Sequence, residues 1–428
     1  MGLQQQLEEY FDRLWPICRS ITGNGLRESF SILQEVIPLT LHEIPTGTKV
    51  FDWEIPDEWN IREAWIETPD GRRVADFSTN NLHVLNYSEP VDQIVSYEEL
   101  KKHVRTLPNQ PNAIPYVTSY YSRKWGFCMT HETWDCLPTS GYYRVYIDSE
   151  LAPGSLTYGD LVLPGKSKKE ILFSTYLCHP SMANNELSGP LTLAFLYKRL
   201  AEIPNREYSY RFVFAPETIG VIAYLAKFGG EMKQNTVAGF VATCCGDPGP
   251  FVYKQSKHRD SLADRAAEHI LKHSNKSHEV IGFAVGGSDE RQYCSPGFNL
   301  PVGSITRSMY QRYDEYHTSL DNKEFISFDS LEETIDLYAK VAELIERNHL
   351  YFNTIQHCEP QLGKRGLYPS SINPDDDRVA LHDMLHLLSF ADGKTDLIEI
   401  ADRRGAPAEH FYQHIDKCID AEILRTKP

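Results

Sequence analysis

LFSTYLCHPSMANNELSG, from Leu172 to Gly189, contains a β-rich apolar run that ends on His179 and a small-residue turn that opens a helix. In an open parallel sheet, the loops outside the carboxyl ends of the strands border the ligand crevice, because the rigid strands hold them in place. An imidazole at that edge is also a common metal ligand. This stretch therefore predicts a strand, a turn and a helix of an α/β fold, with His179 at the functional edge of the sheet.

Two later segments repeat the pattern of an apolar strand followed by a residue that can carry chemistry. YSYRFVFA, residues 208–215, is followed by PETIG, which places Glu217 before a helical segment. VAGFVATCC, residues 237–245, is followed by Gly246 and Asp247. Since the carboxyl ends of parallel strands meet at one edge, we expect His179, Glu217 and Asp247 to lie together.

The domain organisation follows from length and pattern. A chain of 428 residues is too long for one compact core, which predicts two or three domains. Strand and helix patterns alternate from Tyr143 to about His349, which predicts a mixed, mostly parallel sheet sandwiched by helices. Short β-like pieces precede this region, and helical segments near residues 379–389, 395–403 and 406–421 have the rhythm of a winged helix. The expected division is an α/β domain of residues 1–49 and 138–350, an inserted β-rich domain of residues 50–137, and a winged-helix-like α domain of residues 354–428.

Charge and cysteine usage narrow the partners and the compartment. The net charge of -16 repels polyanions and favours cationic or amine-bearing ligands, so we expect no nucleic-acid partner. Nine cysteines without a C-x-x-C pair suit reduced thiols in a cytosol. The amino-terminal residues lack a signal sequence, and no apolar run is long enough to span a bilayer. We therefore expect a cytoplasmic protein without a membrane partner.

Two further segments complete a candidate hydrolytic site. GSDERQYCSPGFNLPVGS supplies Asp289, Glu290 and Arg291, and RSMYQRYDEYHTSLDN supplies His317 and Asp321. A hydrolytic zinc site needs ligands fixed at the mouth of a rigid layer, an open position for water and a nearby carboxylate that takes the water proton. All of these residue types occur in this order, and Asp321 is a candidate for holding the His317 tautomer.

The ordered set of strand-His, a turn ending in SG, PExxG, strand-Asp, GSDERQY and YHTxxD resembles the zinc aminopeptidases of the leucyl aminopeptidase and glutaminyl cyclase group. More closely, the whole chain looks like bacterial aminopeptidase-like proteins with an inserted β domain and a C-terminal winged helix. The resemblance implies a zinc exopeptidase-like fold. It also implies that His179 and Asp247 bind one zinc, that His317 binds the other, that Asn185 stands at the bridging position and that Glu217 is the general base. Asp289, Arg291 and Tyr293 are the expected substrate contacts.

The chain departs from the family pattern at three positions. Asn185 stands where the family has an Asp, Thr218 where it has a second Glu, and Ser181 where it has an Asp two residues after the His. An amide is a weaker ligand than a carboxylate and bridges two cations poorly. The missing charges predict one tightly bound zinc or a labile pair, with Glu186 as a substitute carboxylate.

Each of these assignments has a purely structural alternative. His179 is then a hydrogen-bonded residue at the rim of the sheet, and Glu217 is a first-turn carboxylate that stabilises the following helix dipole. Asp247 in GDPG is then a turn former, and Asp289 a helix cap.

The charge of the third unit argues against DNA binding. The candidate recognition helix, residues 406–421, contains one basic residue, Lys417, against Glu409, Asp416 and Asp420. Such a face repels phosphate, which favours a docking or homo-oligomerisation element over a nucleic-acid reader.

Three functions remain open at this point. The first is a metal-dependent hydrolase that removes the N-terminal residue of a peptide or cleaves a small amide through metal-activated water, with the β insert bordering the cleft and limiting substrate size. The second is amide or acyl chemistry in the same cleft, as in a cyclase or an amino-sugar deacylase. The third is a catalytically silent binding module, which Asn185 and Thr218 favour and Glu217 opposes.

Overall fold

The computed structural model describes residues 2–368 and 374–426. The opening segment contains helices α1 (Leu3–Leu14) and α2 (Asn24–Leu33) and strand β1 (Thr40–Pro45). The next segment contains β2 (Lys49–Val50), β3 (Trp53–Glu54), β4 (Glu58–Glu67), β5 (Arg73–Val74), β6 (Val91–Ser96), α3 (Tyr97–His103), β7 (Val104–Arg105), β8 (Phe127–Cys128), α4 (His131–Asp135) and β9 (Tyr142–Ala152).

The central and C-terminal segments alternate strands and helices. The central one contains β10 (Ser155–Leu163), β11 (Glu170–Tyr176), α5 (Ser188–Ala201), β12 (Ser209–Ala215), α6 (Ile219–Asn235), β13 (Thr236–Ala242), β14 (Phe251–Lys254), α7 (Leu262–His273), β15 (His278–Ile281), α8 (Glu290–Tyr293), β16 (Val302–Thr306) and α9 (Phe328–Arg347). The C-terminal one contains β17 (Leu350–Asn353), α10 (Pro374–Phe390), β18 (Asp392–Asp396), α11 (Leu397–Arg404), α12 (Tyr412–Asp420) and β19 (Leu424–Thr426).

An eight-stranded mixed sheet forms the centre of the molecule, in the order β1-β10-β12-β11-β13-β16-β14-β15. Strands β12, β11, β13 and β16 run parallel, and the antiparallel pairs lie toward the two sides. Every residue of β11 and β12 is buried, as expected of central strands that are covered on both faces. Phe173 stacks on its register neighbours Phe212 and Phe240, which fills the core under one layer of helices.

The inserted segment leaves and rejoins this sheet at adjacent points, because Pro45 at the end of β1 pairs with Ser155 at the start of β10. Between them lies a four-stranded sheet in the order β5-β4-β9-β6. Strand β9 pairs along the whole of β4, from Glu58 opposite Ala152 to Glu67 opposite Arg144. The division at residue 137 expected from the sequence would separate these paired strands, so the small sheet continues past that boundary.

The C-terminal segment forms a three-stranded sheet, β18-β17-β19, with α10, α11 and α12. Strand β17 begins at Leu350, four residues before the boundary at 354 expected from the sequence. The segment packs on α7, where Arg265 binds Asp396 through two 2.6 Å hydrogen bonds. Among the helices of the described residues, none combines the length and apolar character that crossing a membrane requires.

Candidate active site

His179 lies three residues beyond the end of β11 and is 4% exposed. Its Nδ1 is 2.9 Å from Glu186 Oε2, and its Nε2 is 3.6 Å from Glu217 Oε2. Since a carboxylate only accepts hydrogen bonds, Nδ1 carries the proton, and Nε2 faces Glu217. Burial lowers the pKa of His179, but Cys178 and the Glu186 carboxylate outweigh it and raise that pKa well above its usual value.

Glu186 lies behind His179, on the π-helical turn Ala183–Leu187. Its Oε1 accepts the Cys178 backbone N–H at 2.7 Å and is 3.6 Å from the guanidinium of Arg19. The expectation that Glu186 replaces the missing metal ligand therefore stays a prediction, because Glu186 is paired with His179 in this structure. One of its oxygens orients His179, the other accepts from Cys178 N, and its charge is offset by the fully buried Arg19.

Arg19 is a member of this cluster that sequence reasoning missed. Its side chain donates to the carbonyl oxygens of Leu14, at 2.6 Å, and His179, at 3.3 Å. It lies in the short segment between α1 and α2, far from the strand ends in sequence. No spacing signal in the chain marks it.

Asp321 holds the turn that follows His179. Its Oδ1 and Oδ2 accept the backbone N–H groups of Asn184, at 2.6 Å, and Asn185, at 2.8 Å. Burial raises the pKa of Asp321 to about 7, against the opposing effect of these hydrogen bonds. The expected role of Asp321 as a partner of His317 is thus corrected, because both oxygens cap the turn instead.

Asp247 is buried, and each of its oxygens accepts two hydrogen bonds. Oδ1 accepts from Gly249 N at 2.8 Å and Ser308 Oγ at 2.6 Å, and Oδ2 accepts from Asn184 Nδ2 at 2.9 Å and Ser308 N at 3.0 Å. A carboxylate saturated in this way has no lone pair directed at His179. In this structure Asp247 holds the turn and the neighbouring loop, and its expected role as a zinc ligand stays a prediction.

Glu217 follows β12 at a strained turn. Thr218 has φ +65° and ψ -79°, and Ile219 N donates to Glu217 O at 2.8 Å, which is the geometry of a γ-turn. Asp289 Oδ1 accepts the Thr218 N–H at 2.8 Å, and Arg291 Nη2 donates to Thr218 Oγ1 at 2.9 Å. Burial raises the pKa of Glu217, while His179 and Arg291 act to lower it.

His317 lies beside His179, with ring centroids 5.6 Å apart. The ring stacks on Tyr316 at 4.0 Å and contacts the edge of Tyr116 at 5.3 Å. Burial, assisted by His179, lowers the pKa of His317 to about 3, so the imidazole is neutral. Tyr116 also donates its backbone N–H to the His317 carbonyl at 2.8 Å, so the inserted segment positions this residue.

Of the three expected substrate contacts, only Arg291 lines the cavity. Asp289 is fully buried, and burial together with Glu217 raises its pKa well above its usual value. Tyr293 is also fully buried, and its hydroxyl shares a 2.8 Å hydrogen bond with Ser174 on β11. The expectation for Asp289 and Tyr293 is corrected, since the first supports the turn at Thr218 and the second belongs to the core.

The site opens into a cavity of 260 Å³. His179, Glu217 and Arg291 lie along it, and Trp53, Tyr120 and Tyr121 of the inserted segment form an aromatic wall. The run SYYSRKW, residues 119–125, was an aromatic signal that sequence reasoning did not use. A larger groove of 820 Å³, near Arg199 and Glu346, contains none of these residues.

The donor set decides whether a metal fits. Among residues 2–368 and 374–426, one close group of possible ligands is Cys178, His179 and Glu186, but Glu186 there is paired with His179 Nδ1 and Arg19. The groups that remain for a cation are His179 Nε2, the neutral His317 ring, the Glu217 carboxylate and Asn185 Oδ1. This last atom is buried and has no hydrogen-bond partner within the described part of the chain. Two imidazoles with one carboxylate are the ligand types of a single catalytic zinc, but the close group of ligand atoms around His179 is completed by Cys178 and Glu186 and does not include His317. The set does not fit a two-zinc centre.

Two family models match the chain. The model described as "Domain of unknown function (DUF4910)" matches residues 8–348, and a winged helix-turn-helix model matches residues 349–426. A Clostridium acetobutylicum protein named "Putative polysaccharide biosynthesis protein with aminopeptidase-like domain" is 44% identical over 420 residues, which are 98% of this chain and 96% of that protein.

Solved structures resemble the same fold. The crystal structure of a "putative peptidase" from Clostridium acetobutylicum is 42% identical, with a TM-score of 0.93 over 99% of this chain and 96% of that chain. A zinc aminopeptidase from Bacillus subtilis is 12% identical, with a TM-score of 0.58 over 80% of this chain and 93% of that chain. The expected fold, a mixed sheet sandwiched by helices as in zinc exopeptidases, with a C-terminal winged helix, is confirmed.

Proposed function

Since this chain belongs to the family described as "Domain of unknown function (DUF4910)" and has the zinc aminopeptidase fold, we propose that it is a single-zinc hydrolase of amide bonds. Its substrate is the N-terminal residue of a peptide or a small amide. The observation that carries the proposal is the pair at the base of the cavity, where His179 Nε2 lies 3.6 Å from Glu217 Oε2 and the imidazole is fixed from behind by Glu186.

His179 and His317 would hold the zinc, with Asn185 Oδ1 completing the set. When bound, zinc supplies Lewis-acid polarisation of the carbonyl and acidifies water. A nitrogen that binds zinc carries no proton, so His179 would hold the metal through a deprotonated Nε2. Glu186 keeps the proton on Nδ1, so that the Nε2 lone pair faces the cavity.

Glu217 is the proton acceptor in this proposal. Its burial raises its pKa, which brings a carboxylate closer to the range in which it both accepts and returns a proton near neutrality. Glu217 takes a proton from the attacking water and gives it to the leaving amine. The γ-turn at Thr218 fixes the direction of this side chain, because Asp289 and Arg291 hold the turn from two sides.

The cavity size supports a small substrate. A volume of 260 Å³ accommodates one residue or one sugar-sized ring, and the wall formed by Trp53, Tyr120 and Tyr121 closes one side. The acidic protein, with a net charge of -16, favours an amine-bearing substrate at long range. These two features together favour the terminal residue of a peptide over an internal segment.

One observation favours a second candidate, a catalytically silent binding module. Asp247 is saturated by hydrogen bonds, and Thr218 offers no carboxylate beside Glu217, so few acidic ligands remain for a cation. In that case the cavity binds an amide without cleaving it.

The experiment combines zinc analysis of protein purified without chelators with hydrolysis of leucine p-nitroanilide, a dipeptide and N-acetylglucosamine. We expect about one zinc per chain, cleavage of the aminoacyl substrates, and loss of about 1000-fold or more in kcat in Glu217→Gln. Glu324→Gln, at an exposed position, is the matched control and should behave as the wild type. Near-zero zinc without hydrolysis would support the binding module, and cleavage of the acetylated sugar alone would support amino-sugar deacylation.

A further inference from the structure

Arg291 is the charged residue of the cavity whose role the fold leaves open. It follows two acidic residues, but each of these is engaged elsewhere: Asp289 accepts the Thr218 N–H, and Glu290 binds Lys254 Nζ and the Tyr310 hydroxyl. Among residues 2–368 and 374–426, no carboxylate oxygen lies within 4.0 Å of the Arg291 guanidinium. Its single hydrogen bond within this part of the chain goes to Thr218 Oγ1 at 2.9 Å.

From this geometry we propose that Arg291 stabilises the negative charge that develops on the amide oxygen during hydrolysis. The inference rests on the proposed function and adds a catalytic residue to it. A guanidinium has five N–H donors in a rigid fork, and Thr218 occupies one, so the others remain to bind an oxygen in the cavity.

The neighbourhood of Arg291 favours a developing charge over a permanent one. Glu217 lines the same cavity of 260 Å³, so a substrate anion bound beside Arg291 would also face this carboxylate. A neutral amide does not meet that repulsion in the ground state. Its oxygen becomes negative only as Glu217 removes the water proton and is neutralised, and the attraction to Arg291 then grows without an opposing charge.

The backbone keeps the guanidinium in position before the reaction. Thr218 is held at φ +65° by the γ-turn, and it presents its hydroxyl to Arg291 and its N–H to Asp289 on the same loop. A donor fixed in this way needs no reorganisation when charge appears on the substrate, which is the condition for a large electrostatic effect.

The step balances without a co-reactant other than water. The water oxygen attacks the carbonyl carbon, the C=O π electrons move to the oxygen beside Arg291, and Glu217 takes the water proton. When the C–N bond breaks, its electron pair leaves with the amine nitrogen, which receives the proton from Glu217. The products are a carboxylic acid and an amine.

The kinetic test compares Arg291→Gln and Arg291→Lys with the wild type on leucine p-nitroanilide. We expect Arg291→Gln to lower kcat about 100-fold with KM changed by less than about threefold. Arg291→Lys should retain an intermediate kcat, because an ammonium keeps the charge but not the fork. Arg312→Gln is the control, since Arg312 is exposed and pairs with Glu279. A rise in KM with unchanged kcat would show a ground-state anchor and overturn the proposal, as would unchanged kinetics.

A binding test makes the outcome independent of turnover. Calorimetry measures the affinity of the same variants for two probes. One is leucine phosphonic acid, a tetrahedral anion, and the other is leucinamide, a planar neutral amide. We expect Arg291→Gln to weaken the binding of the phosphonic acid at least about tenfold and the binding of leucinamide less than about twofold. Equal weakening of both, or of neither, would refute the role. A wild type that binds the phosphonic acid through Arg291 but lacks zinc and hydrolysis would refute the proposed hydrolase, and with it the catalytic role, while keeping the anion contact.

Discussion

The side chains of Arg19, Glu186 and His179 form a buried sequence of a cation, an anion and an imidazole. Removing two charges from water is costly, and it is tolerated only when the geometry and the extra hydrogen bonds are good. Here the Glu186 carboxylate accepts hydrogen bonds from His179 Nδ1 and Cys178 N, and it forms an ion pair with the guanidinium of Arg19 at 3.6 Å. The cluster therefore determines which nitrogen of His179 faces the cavity.

Replacing Glu186 by Gln tests this arrangement. The amide has one acceptor oxygen instead of two and leaves Arg19 as an uncompensated buried cation, so we expect a loss of roughly 3–5 kcal/mol in the free energy of unfolding. We also expect zinc affinity to be about 10–100-fold weaker, because loss of a residue that orients a metal ligand usually has an effect of this size. Urea titration and competition with a zinc-binding dye measure the two quantities.

Glu202→Gln, at an exposed position at the end of α5, serves as the control for both measurements. A Glu186→Gln protein that retained wild-type zinc affinity would show that His179 does not depend on this carboxylate.

The positions and directions of individual side chains were the part of the structure that the sequence predicted least. The sequence predicted that His179, Glu217 and Asp247 lie together at the strand ends, and of these His179 and Glu217 line one cavity with Arg291. It could not predict the direction in which a side chain leaves a loop. Asp247 turns into its own loop and Tyr293 into the core, and neither orientation has a period that a pattern could reveal.

The packing of α5 on the sheet is a constraint at the scale of elements. A Cβ placed on Gly189 would lie 2.4 Å from Thr175 Oγ1 and 2.5 Å from the Ala242 carbonyl oxygen. The helix that follows the His179 turn can therefore approach β11 and β13 closely only with glycine here. This approach places the first turn of α5 directly behind the site.

We expect Gly189→Ala to lower the free energy of unfolding by about 1–3 kcal/mol, since the added methyl meets backbone that cannot move freely. Gly230→Ala in α6 is the matched control, because nothing lies within 4 Å of its Cβ position and alanine favours a helix. Urea titrations of both variants give the comparison. A Gly189→Ala protein as stable as Gly230→Ala would contradict the close approach.

The hairpin of β2 and β3 carries the exposed end of the aromatic wall. Trp53 contacts Tyr121 edge-on at 5.6 Å, and both line the cavity. Phe51 on the same hairpin is 64% exposed and contacts Phe298 instead. Substitutions of Trp53 and of Phe51 therefore distinguish an effect on the cavity from an effect on the hairpin.

We expect Trp53→Ala to raise KM for leucine p-nitroanilide about 2–10-fold with little change in kcat, because an aromatic contact contributes about 0.5–1.5 kcal/mol. Phe51→Ala should leave KM unchanged. Steady-state kinetics on the two variants decide the matter, and equal values of KM in both would exclude Trp53 from the substrate wall.

On the scale of the molecule, the joint between α7 and the C-terminal segment depends on a neutral histidine. Ala408 N donates to His269 Nε2 at 3.0 Å, so Nδ1 carries the proton that faces Asp402 at 3.1 Å. Burial lowers the pKa of His269, although Asp402 acts to raise it. Protonation of Nε2 would remove the acceptor for Ala408.

The lowered pKa of His269 makes the joint less stable in acid. A histidine pKa below its unfolded value of about 6.5 makes the unfolded state bind more protons, so stability is full above about pH 6.5 and falls at lower pH. Between about pH 7.5 and about pH 5.5 we expect the joint to lose up to roughly 1.4 kcal/mol. In His269→Gln, whose amide oxygen can accept from Ala408 without titrating, this loss should be absent.

Hydrogen exchange of residues 397–411, corrected for the intrinsic pH dependence, measures this local opening. Residues 236–242 in the central sheet provide the internal reference. The same acid response in wild type and His269→Gln would show that another group is responsible.

The sequence predicted the large architecture well. Alternating strand and helix patterns identified the central sheet, and the rhythm of helices and breaks identified the winged helix. The boundaries were less accurate, because β9 and β17 each pair with strands that are distant in sequence, and no local signal reports such a pairing. The expectation that the winged helix does not bind nucleic acid stays a prediction. Asp416 of α12 binds Arg347 at 2.7 Å, so part of this helix faces α9.

The pairing of Pro45 with Ser155 has a consequence for biosynthesis. Strand β1 leaves the ribosome well before its partner β10, and β4 likewise precedes β9. The β4–β9 pair therefore lies, in sequence, between the two strands of the β1–β10 pair. Strands β4 and β9 are both synthesised while β1 still lacks its partner β10. Nascent chains should therefore acquire a protease-resistant insert first, and close the eight-stranded sheet only after translation has passed β10.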